Sequence, residues 1–211
     1  MTSLHPETVR HILTFMNDTF VSRNKMKVVC SHWNICLSDE AFSIDFGVTS
    51  FDTIGGFRQH AEKIQYLFGE KCKQIIWNHD MCDTPIFFNF VPSQLIYLDL
   101  SWCPRVTDYA FVKMIQNCPK LKKIILQGCR RLGNYCIEEI ANKCSELEYL
   151  DVSNGVFATD ESICEIGRKC KNLVYLNVGK ENYYITDKSM MTCFTHCPRL
   201  RCFIWRHREN V

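Results

Sequence analysis

The stretch Leu147-Glu148-Tyr149-Leu150-Asp151-Val152 has leucine at its first and fourth positions and valine at its sixth. The same apolar pattern recurs along the second half of the chain, and successive copies begin 26, 26, 26 and 27 residues apart. The opening residues are Leu95, Leu121, Leu147, Leu173 and Leu200. The apolar pairs that follow them are Leu98 and Leu100, Ile124 and Leu126, Leu150 and Val152, Leu176 and Val178, and Phe203 and Trp205. A spacing this constant indicates that one structural unit is repeated.

A period of roughly 20 to 29 residues with this pattern is typical of leucine-rich repeats, whose units stack to bury a continuous core. We therefore predict an α/β fold, a leucine-rich-repeat solenoid with parallel β-strands on its concave face and helices on its convex face. Regular 26-residue repeats are predicted over residues 95–211, and irregular capping repeats over residues 41–94. In the capping region, Phe42, Ile44 and Phe46 alternate as in a strand, and Cys72–Trp77 has the phase of another strand.

Turn signals follow the predicted strands of the regular repeats. The pairs are Thr107-Asp108, Gly133-Asn134, Thr159-Asp160 and Thr186-Asp187. Asp and Asn side chains accept hydrogen bonds from the free N–H groups at a helix start, so we interpret these residues as N-caps. Apolar residues at spacings of three and four follow each pair, which predicts one amphipathic helix per repeat.

The 14 cysteines would suggest a disulfide framework in a short secreted chain. Four of them, however, keep the phase of the repeat: Cys118, Cys144, Cys170 and Cys197 each stand three residues before an opening leucine. We interpret them as compact hydrophobic side chains that fill the same buried slot in every unit. The sequence has no signal-peptide pattern and no apolar run long enough to cross a bilayer, so we expect a reduced, cytoplasmic or nuclear protein without a membrane partner.

Charge and motif content argue against several classes of function. Formal net charge is +2, from 25 basic and 23 acidic residues, which is not the one-sided excess expected of a nucleic-acid-binding protein. Cys193 and Cys197 with His196 could be drawn as metal ligands, as could His79 with Cys82, but neither group has a paired Cys-x-x-Cys partner elsewhere in the sequence. We therefore expect no catalytic residue, metal or cofactor. The alternative to a binding protein is a cysteine- or metal-dependent enzyme.

The N-terminal region resembles a known family. Leu4-His5-Pro6-Glu7-Thr8-Val9-Arg10-His11-Ile12-Leu13 is similar to the opening of an F-box, and Val28-Val29-Cys30-Ser31-His32-Trp33 is similar to its second signature. The resemblance covers about residues 4–40. It implies a short helical domain over residues 1–40, with one helical stretch carrying Met26, Val29, Cys30, Trp33 and Leu37.

An F-box followed by cysteine-containing leucine-rich repeats implies a substrate receptor of an SCF (Skp–cullin–F-box) ubiquitin ligase. In such complexes the F-box docks on the Skp adaptor and the repeats present a protein substrate for ubiquitination and proteasomal degradation. The residues that the resemblance assigns to adaptor binding are Leu4, Pro6, Glu7, Ile12, Leu13, Val29, Cys30 and Trp33. The alternative is a leucine-rich-repeat scaffold that is not coupled to a cullin.

The predicted substrate site lies on the strands. Because side chains alternate between the two faces of a strand, burying the apolar pair leaves the residues before and between its members outside. Stacking the repeats gives two outward rows with neighbours about 4.8 Å apart. The first row holds Tyr97, Lys123, Tyr149 and Tyr175, and the second holds Asp99, Ile125, Asp151 and Asn177. Aromatic side chains with polar tips are common in protein interfaces, so we predict that these eight residues bind the substrate.

Overall fold

A computed structural model describes residues 26–30, 33–37, 42–46, 72–77, 91, 93–179 and 182–205. The strands are β1 (Met26–Cys30), β2 (Trp33–Leu37), β3 (Phe42–Phe46), β4 (Cys72–Trp77), β5 (Tyr97–Asp99), β6 (Lys123–Ile125), β7 (Tyr149–Asp151), β8 (Tyr175–Gly179) and β9 (Cys202–Trp205). The helices are α1 (Asp108–Ile115), α2 (Asn134–Lys143), α3 (Asp160–Lys169) and α4 (Asp187–His196). None of the helices in these ranges has the length and apolar character needed to cross a membrane.

The strands form one sheet in the order in which they occur in the chain. β1, β2 and β3 pair antiparallel, and every later pairing, from β3–β4 to β8–β9, is parallel. One helix follows each of β5 to β8 and returns the chain to the start of the next strand. The register matches the sequence period, since Leu98 lies beside Ile124 and Ile124 beside Leu150. This geometry confirms the predicted parallel leucine-rich-repeat array.

The predicted apolar spine is the core of the molecule. Leu95, Leu121, Leu147 and Leu173 are fully buried, as are the apolar pairs that follow them. The helices contribute their apolar faces to the same cluster, including Phe111, Ile137 and Ile163. Burial of a side chain of this size contributes roughly 1.5–3 kcal/mol. In the last repeat, Leu200, Phe203 and Trp205 pack against the cluster but are only partly buried.

The phased cysteines are buried, as predicted, and connect neighbouring repeats. The thiol of Cys170 donates to the carbonyl of Cys144 at 3.6 Å, and the thiol of Cys197 donates to the carbonyl of Cys170 at 3.4 Å. Ten cysteines of the described ranges have free thiols, and nine of these are buried. Burial raises the pKa of Cys118 and of Cys170 to about 12, so both thiols are neutral at physiological pH.

The N-cap of each helix lies one residue earlier than the sequence interpretation placed it. The caps are Thr107, Gly133, Thr159 and Thr186. The Thr107 hydroxyl oxygen accepts a hydrogen bond from the Ala110 N–H at 3.4 Å, and that of Thr186 accepts one from the Lys188 N–H at 3.3 Å. The assignment of Asp and Asn as N-caps was therefore wrong: at Thr107 and Thr186 the threonine hydroxyl accepts from a free donor of the first turn, and at Gly133 no side chain caps the helix.

The Asp or Asn after each of the first three caps instead bonds to the following repeat. Asp108 Oδ1 accepts from the Gly133 N–H at 2.9 Å. Asn134 Oδ1 accepts from the Thr159 N–H, and Asp160 Oδ1 from the Thr186 N–H, both also at 2.9 Å. The side chain that begins one helix thus holds the cap residue of the next, and this series of bonds sets the spacing of neighbouring repeats.

The predicted helix over residues 26–37 was wrong, because these residues form β1 and β2. A short apolar segment can fit both helical and strand periodicity, and here Val28, Val29 and Ile35 are β-branched residues that favour strands. Pairing of β2 with β3 also supplies backbone hydrogen bonds along the sheet. The predicted strands at Phe42–Phe46 and Cys72–Trp77 are confirmed. Residues 4–16 lie outside the described ranges, and the domain boundaries near residues 40 and 94 stay predictions.

Asp160 allows a test of the bonds between repeats. Burial raises the pKa of its carboxyl, but hydrogen bonds from Thr186 and Ser189 outweigh this effect and lower the pKa below its usual value. A depressed folded-state pKa adds stability above the unfolded pKa of about 3.9, and this stability is lost as the pH falls through the folded value. We expect Asp160→Ala to lower the free energy of unfolding at pH 7 by about 2 kcal/mol in urea denaturation.

The matched control is Asp160→Asn, because Asn134 occupies the equivalent position one repeat earlier and makes the same backbone contact. This variant should retain more stability than Asp160→Ala while losing the acid dependence that the carboxylate provides. An Asp160→Ala protein as stable as the wild type at pH 7 would show that these bonds do not stabilise the array.

Candidate protein-binding face

The eight predicted substrate-binding residues share the side of the sheet opposite the buried spine, which we call the open face. Leu98, Ile124, Leu150 and Leu176 are fully buried, so the residues on either side of them point the other way. The strand register places Tyr97, Lys123, Tyr149 and Tyr175 in one row and Asp99, Ile125, Asp151 and Asn177 in the next. The predicted arrangement in two rows is therefore confirmed, and their role in binding a substrate stays a prediction.

The first row is a continuous stack of aromatic rings and one cation. The rings of Tyr149 and Tyr175 are parallel to within 2°, with centroids 4.1 Å apart. The Lys123 Nζ lies 4.5 Å from the centroid of the Tyr149 ring and 5.0 Å from that of Tyr97. An ammonium group is attracted by the negative faces of aromatic rings, so Lys123 is held between the two tyrosines.

The charge of Lys123 is not neutralised by a neighbouring carboxylate. Its ammonium group forms no ion pair within the ranges that the structure describes. Cation–π attraction orients the ammonium group without cancelling its charge. The open face therefore presents one available positive charge within an aromatic surface.

Hydrogen bonds within the fold occupy the second row. Asp99 Oδ1 accepts from the N–H and the hydroxyl of Ser101, at 2.9 and 2.5 Å. Asp151 Oδ1 accepts in the same way from Ser153, at 3.0 and 2.6 Å, and Asp151 Oδ2 accepts from the Asn177 amide at 3.0 Å. Asp151 is only 8% exposed. These carboxylates fix the turn that leaves each strand, so the aromatic row supplies most of the surface available to a partner.

The sequence analysis did not predict that Ser101 and Ser153 hydrogen-bond to Asp99 and Asp151, although their spacing indicates it. Ser101 and Ser153 each stand two residues after the aspartate that they contact, at the same phase of the repeat. A hydroxyl at this spacing can reach back to a carboxylate and close a turn. Repetition of this spacing across two units was the signal that would have identified the pair.

The phenol groups of Tyr97 and Tyr149 are protonated at physiological pH. Burial, the negative charge of Asp99 and a 3.2 Å hydrogen bond to that carboxylate raise the pKa of Tyr97 to about 12. Burial, a hydrogen bond with Tyr175 and the charges of Tyr175 and Asp151 raise the pKa of Tyr149 well above its ordinary value. The hydroxyl groups therefore act as neutral donors and acceptors, which suits binding by hydrogen bonds and packing.

The predicted adaptor-binding residues are only partly covered by the structure. Val29 and Cys30 belong to β1 and Trp33 to β2, and Cys30 lies opposite Trp33 in the antiparallel pair. The structure thus brings the backbones of Cys30 and Trp33 together. The other predicted adaptor-binding residues lie outside the described ranges: Leu4, Pro6, Glu7, Ile12 and Leu13.

No protein-family model and no curated protein matches the chain. Among solved structures, a chain in the crystal structure of the Rad7 and Elc1 complex in yeast is 19% identical, with a TM-score of 0.44. The match covers 67% of this chain and 43% of that chain. Internalin C2 (inlC2) from Listeria monocytogenes strain 4b F2365 is 16% identical, with a TM-score of 0.47, and the match covers 79% of this chain and 74% of that one. At these scores the fold assignment rests on the repeat geometry of the chain itself.

Of the residues considered as metal ligands, Cys193 and Cys197 belong to the core and His196 to the surface of α4, whereas His79 and Cys82 lie outside the described ranges. The Cys193 thiol donates to the Ile163 carbonyl at 3.7 Å, and the Cys197 thiol donates to the Gly167 carbonyl at 3.3 Å. His196 is exposed, with its Nδ1 2.9 Å from the Thr192 carbonyl oxygen. The structure describes no group of three or more His, Cys, Asp or Glu side chains in its ranges that could hold a metal ion.

We expect the buried thiols to resist alkylation in the native protein. Burial raises the pKa of Cys193 to about 12, and the thiolate is the reactive species, so iodoacetamide at pH 8 should leave Cys193 unmodified. The partly exposed Cys202 serves as an internal comparison and should react first of the two. Peptide mass spectrometry before and after unfolding measures both. Rapid native labelling of Cys193 would favour the cysteine-dependent enzyme instead.

Proposed function

We propose that this chain is the substrate-recognition subunit of an SCF ubiquitin ligase and that its open face binds the protein substrate. The observation that carries the recognition role is the row of Tyr97, Lys123, Tyr149 and Tyr175 across four adjacent strands. Tyrosine provides a large contact area with few rotatable bonds and a hydroxyl at its tip, which makes it effective in protein interfaces.

The dimensions of the row favour a polypeptide over a small molecule. Four strands at a spacing of about 4.8 Å make a row roughly 14 Å long, the length of about four residues of extended chain. The site is a surface on which side chains of a partner can lie against the rings, whereas small molecules usually bind in concave pockets that enclose them. A substrate segment running across the strands could contact all three tyrosine rings and place a polar group near Lys123.

The ligase role depends on the resemblance to the F-box. Residues 26–37 form β1 and β2 instead of the predicted helical stretch, so they do not support the resemblance. The sequence pattern of residues 4–16 is what supports the ligase role. In this proposal the N-terminal segment binds the Skp adaptor of a cullin complex, and the repeats hold a substrate lysine near the transferred ubiquitin. Binding would accelerate transfer by raising the local concentration of that lysine, with no residue of this chain in bond making. The protein would act in the cytoplasm or nucleus.

A scaffold that is not coupled to a cullin is the second candidate. The observation that favours it is that β1 and β2 belong to the same sheet as the repeats. A segment that extends the sheet can complete the end of the array, which a repeat protein requires for solubility. The open face would then assemble a complex with a bound protein and not deliver it for ubiquitination.

The recognition role predicts that Tyr149→Ala with Tyr175→Ala lowers the capture of bound proteins by about tenfold or more, because the two stacked rings are central to the row. Affinity purification followed by quantitative mass spectrometry measures the capture. Phe194→Ala is the matched control, since Phe194 is an exposed aromatic residue on α4. Unchanged capture by a folded double variant, checked by circular dichroism, would refute this placement of the substrate.

The ligase role predicts that the chain co-purifies with a Skp adaptor and that Ile12→Asp with Leu13→Asp abolishes the interaction. A charged side chain is costly to bury in the apolar contact that the resemblance assigns to these residues. The Tyr149→Ala, Tyr175→Ala variant is the control and should retain the adaptor. A chain that captures proteins through the open face but ignores the adaptor would favour the scaffold.

A further inference from the structure

A second surface is rich in exposed aromatic residues. Nine large hydrophobic side chains are exposed in the described ranges, and three of them lie elsewhere, Met191 and Phe194 on α4 and Ile204 on β9. The other six lie along the edge of the array where strands end and helices begin. We call this group the aromatic edge, and it consists of Trp102, Tyr109, Tyr135, Phe157, Tyr183 and Tyr184. Large exposed apolar patches on soluble proteins commonly mark interaction sites.

Contacts along the aromatic edge hold its side chains in place. The ring centroids of Phe157 and Tyr184 are 5.2 Å apart, with a 60° angle between the ring planes. The ring of Trp102 lies over Gly128, where an added Cβ would be only 2.6 Å from a ring carbon. A preformed surface loses less conformational entropy on binding, which favours affinity.

Trp102 has a left-handed backbone conformation that is unusual for a bulky residue. It has a φ of 59°, and the residues 26 and 52 positions later, Gly128 and Asn154, also have positive φ, of 79° and 59°. Glycine and asparagine tolerate this left-handed conformation best, and a bulky side chain there is uncommon. Although its ring packs on Gly128, 46% of the surface of Trp102 stays exposed. The need for tryptophan here is better explained by contact with a partner.

Basic side chains accompany the aromatic residues at one end of this edge. Arg105, Arg130 and Arg131 are exposed, and none of the three forms an ion pair with another described residue. The carboxylate of Asp108, which is nearby in the chain, already accepts a bond from Gly133. The first two regular repeats therefore present three arginines without an ion pair among the described residues, close in the chain to Trp102, Tyr109 and Tyr135.

The opposite end carries charges of both signs. The exposed carboxylates of Glu161 and Asp187 follow Phe157 and Tyr184 in the later repeats, and the Lys188 Nζ lies 3.8 Å from Glu161 Oε1. A polyanion such as a nucleic acid, lying along the whole edge, would meet the two carboxylates as well as Lys188 there and gain little electrostatic attraction at this end. A polypeptide can instead place acidic residues at the arginine end only, so the charge distribution favours a protein partner.

We propose that the aromatic edge is a second protein-binding surface, whose partner is a polypeptide segment with carboxylate side chains beside aromatic or aliphatic ones. Its acidic residues contact Arg105, Arg130 and Arg131, and its apolar residues pack on Trp102, Tyr109 and Tyr135. Tryptophan, tyrosine and arginine are the residue types that contribute most often to binding at protein interfaces. The surface uses none of the residues of the open face, so the two can be occupied and tested independently.

A library of random twelve-residue peptides displayed on phage, selected against the full chain, tests the proposal. We expect the recovered peptides to be enriched in Asp and Glu together with aromatic or aliphatic residues. Arg130→Gln with Arg131→Gln should weaken their binding by about tenfold, the loss expected when two charge-assisted contacts are removed. Tyr109→Ser with Tyr135→Ser, at two exposed positions that the core does not need, should weaken binding to a similar extent.

Arg168→Gln is the matched control, because Arg168 is an exposed arginine on α3 that pairs with Glu165 at 2.8 Å. It should leave peptide binding unchanged. Selection of peptides without acidic enrichment, or full binding by the Arg130 and Arg131 variant, would overturn the proposal. So would loss of binding in the Tyr149→Ala, Tyr175→Ala variant, which would assign the peptides to the open face. Tighter binding of a single-stranded oligonucleotide, lost in the arginine variant, would replace the protein partner with a nucleic acid.

Discussion

Backbone pairing between parallel strands at one fixed register is the constraint on which the rest of the array depends. The N–H of Lys122 donates to the Ile96 carbonyl, that of Glu148 to Lys122, and that of Val174 to Glu148, each at 2.8 Å. Because these bonds repeat with the period of the sequence, each phase of the repeat becomes a row in space. The leucine spine, the cysteine column and the tyrosine row are three results of the same pairing.

The register also explains how much was predictable from sequence. Leucine and cysteine spacing was sufficient to identify the buried spine, and alternation within the strands was sufficient to place Tyr97 and its row. The N-caps were misplaced by one residue because a threonine and the aspartate after it are both good caps, and only the next repeat determines which role each takes. Residues 26–37 were misassigned because their apolar pattern fits either period, and pairing with a neighbouring strand decides between them.

Sequence patterns could not reveal the aromatic edge for a different reason. Trp102, Phe157 and Tyr184 lie in the segments between the named strands and helices, where no helical or strand period relates one residue to the next. Their exposure becomes evident only when the path of the chain between strand and helix is known. The open face was predictable because it alternates with the core, whereas the edge is independent of the core and carries residues that folding does not require.

The polar residues of the array divide between holding the fold and meeting a partner. Asp99 and Asp151 look like binding residues in sequence, yet their carboxylates are engaged in bonds within the array, as is the carboxylate of Asp160. Lys123 and the arginines at residues 105, 130 and 131 form no ion pairs among the described residues. Anionic groups of a partner could therefore bind these four cations without displacing a described carboxylate of the protein.

The repeat that contains β9 is less completely buried than the repeats before it, so we expect the described array to unfold from this end. A repeat is held by contacts with its neighbours, and among the described strands β9 pairs only with β8, while Leu200, Phe203 and Trp205 are only partly buried. Local opening should begin with the separation of β9 and α4, while the backbone amides around β6 and β7 exchange with solvent only in deeper unfolding events. A pulling force or an unfolding machine acting at that end would thus unfold the structure one repeat at a time.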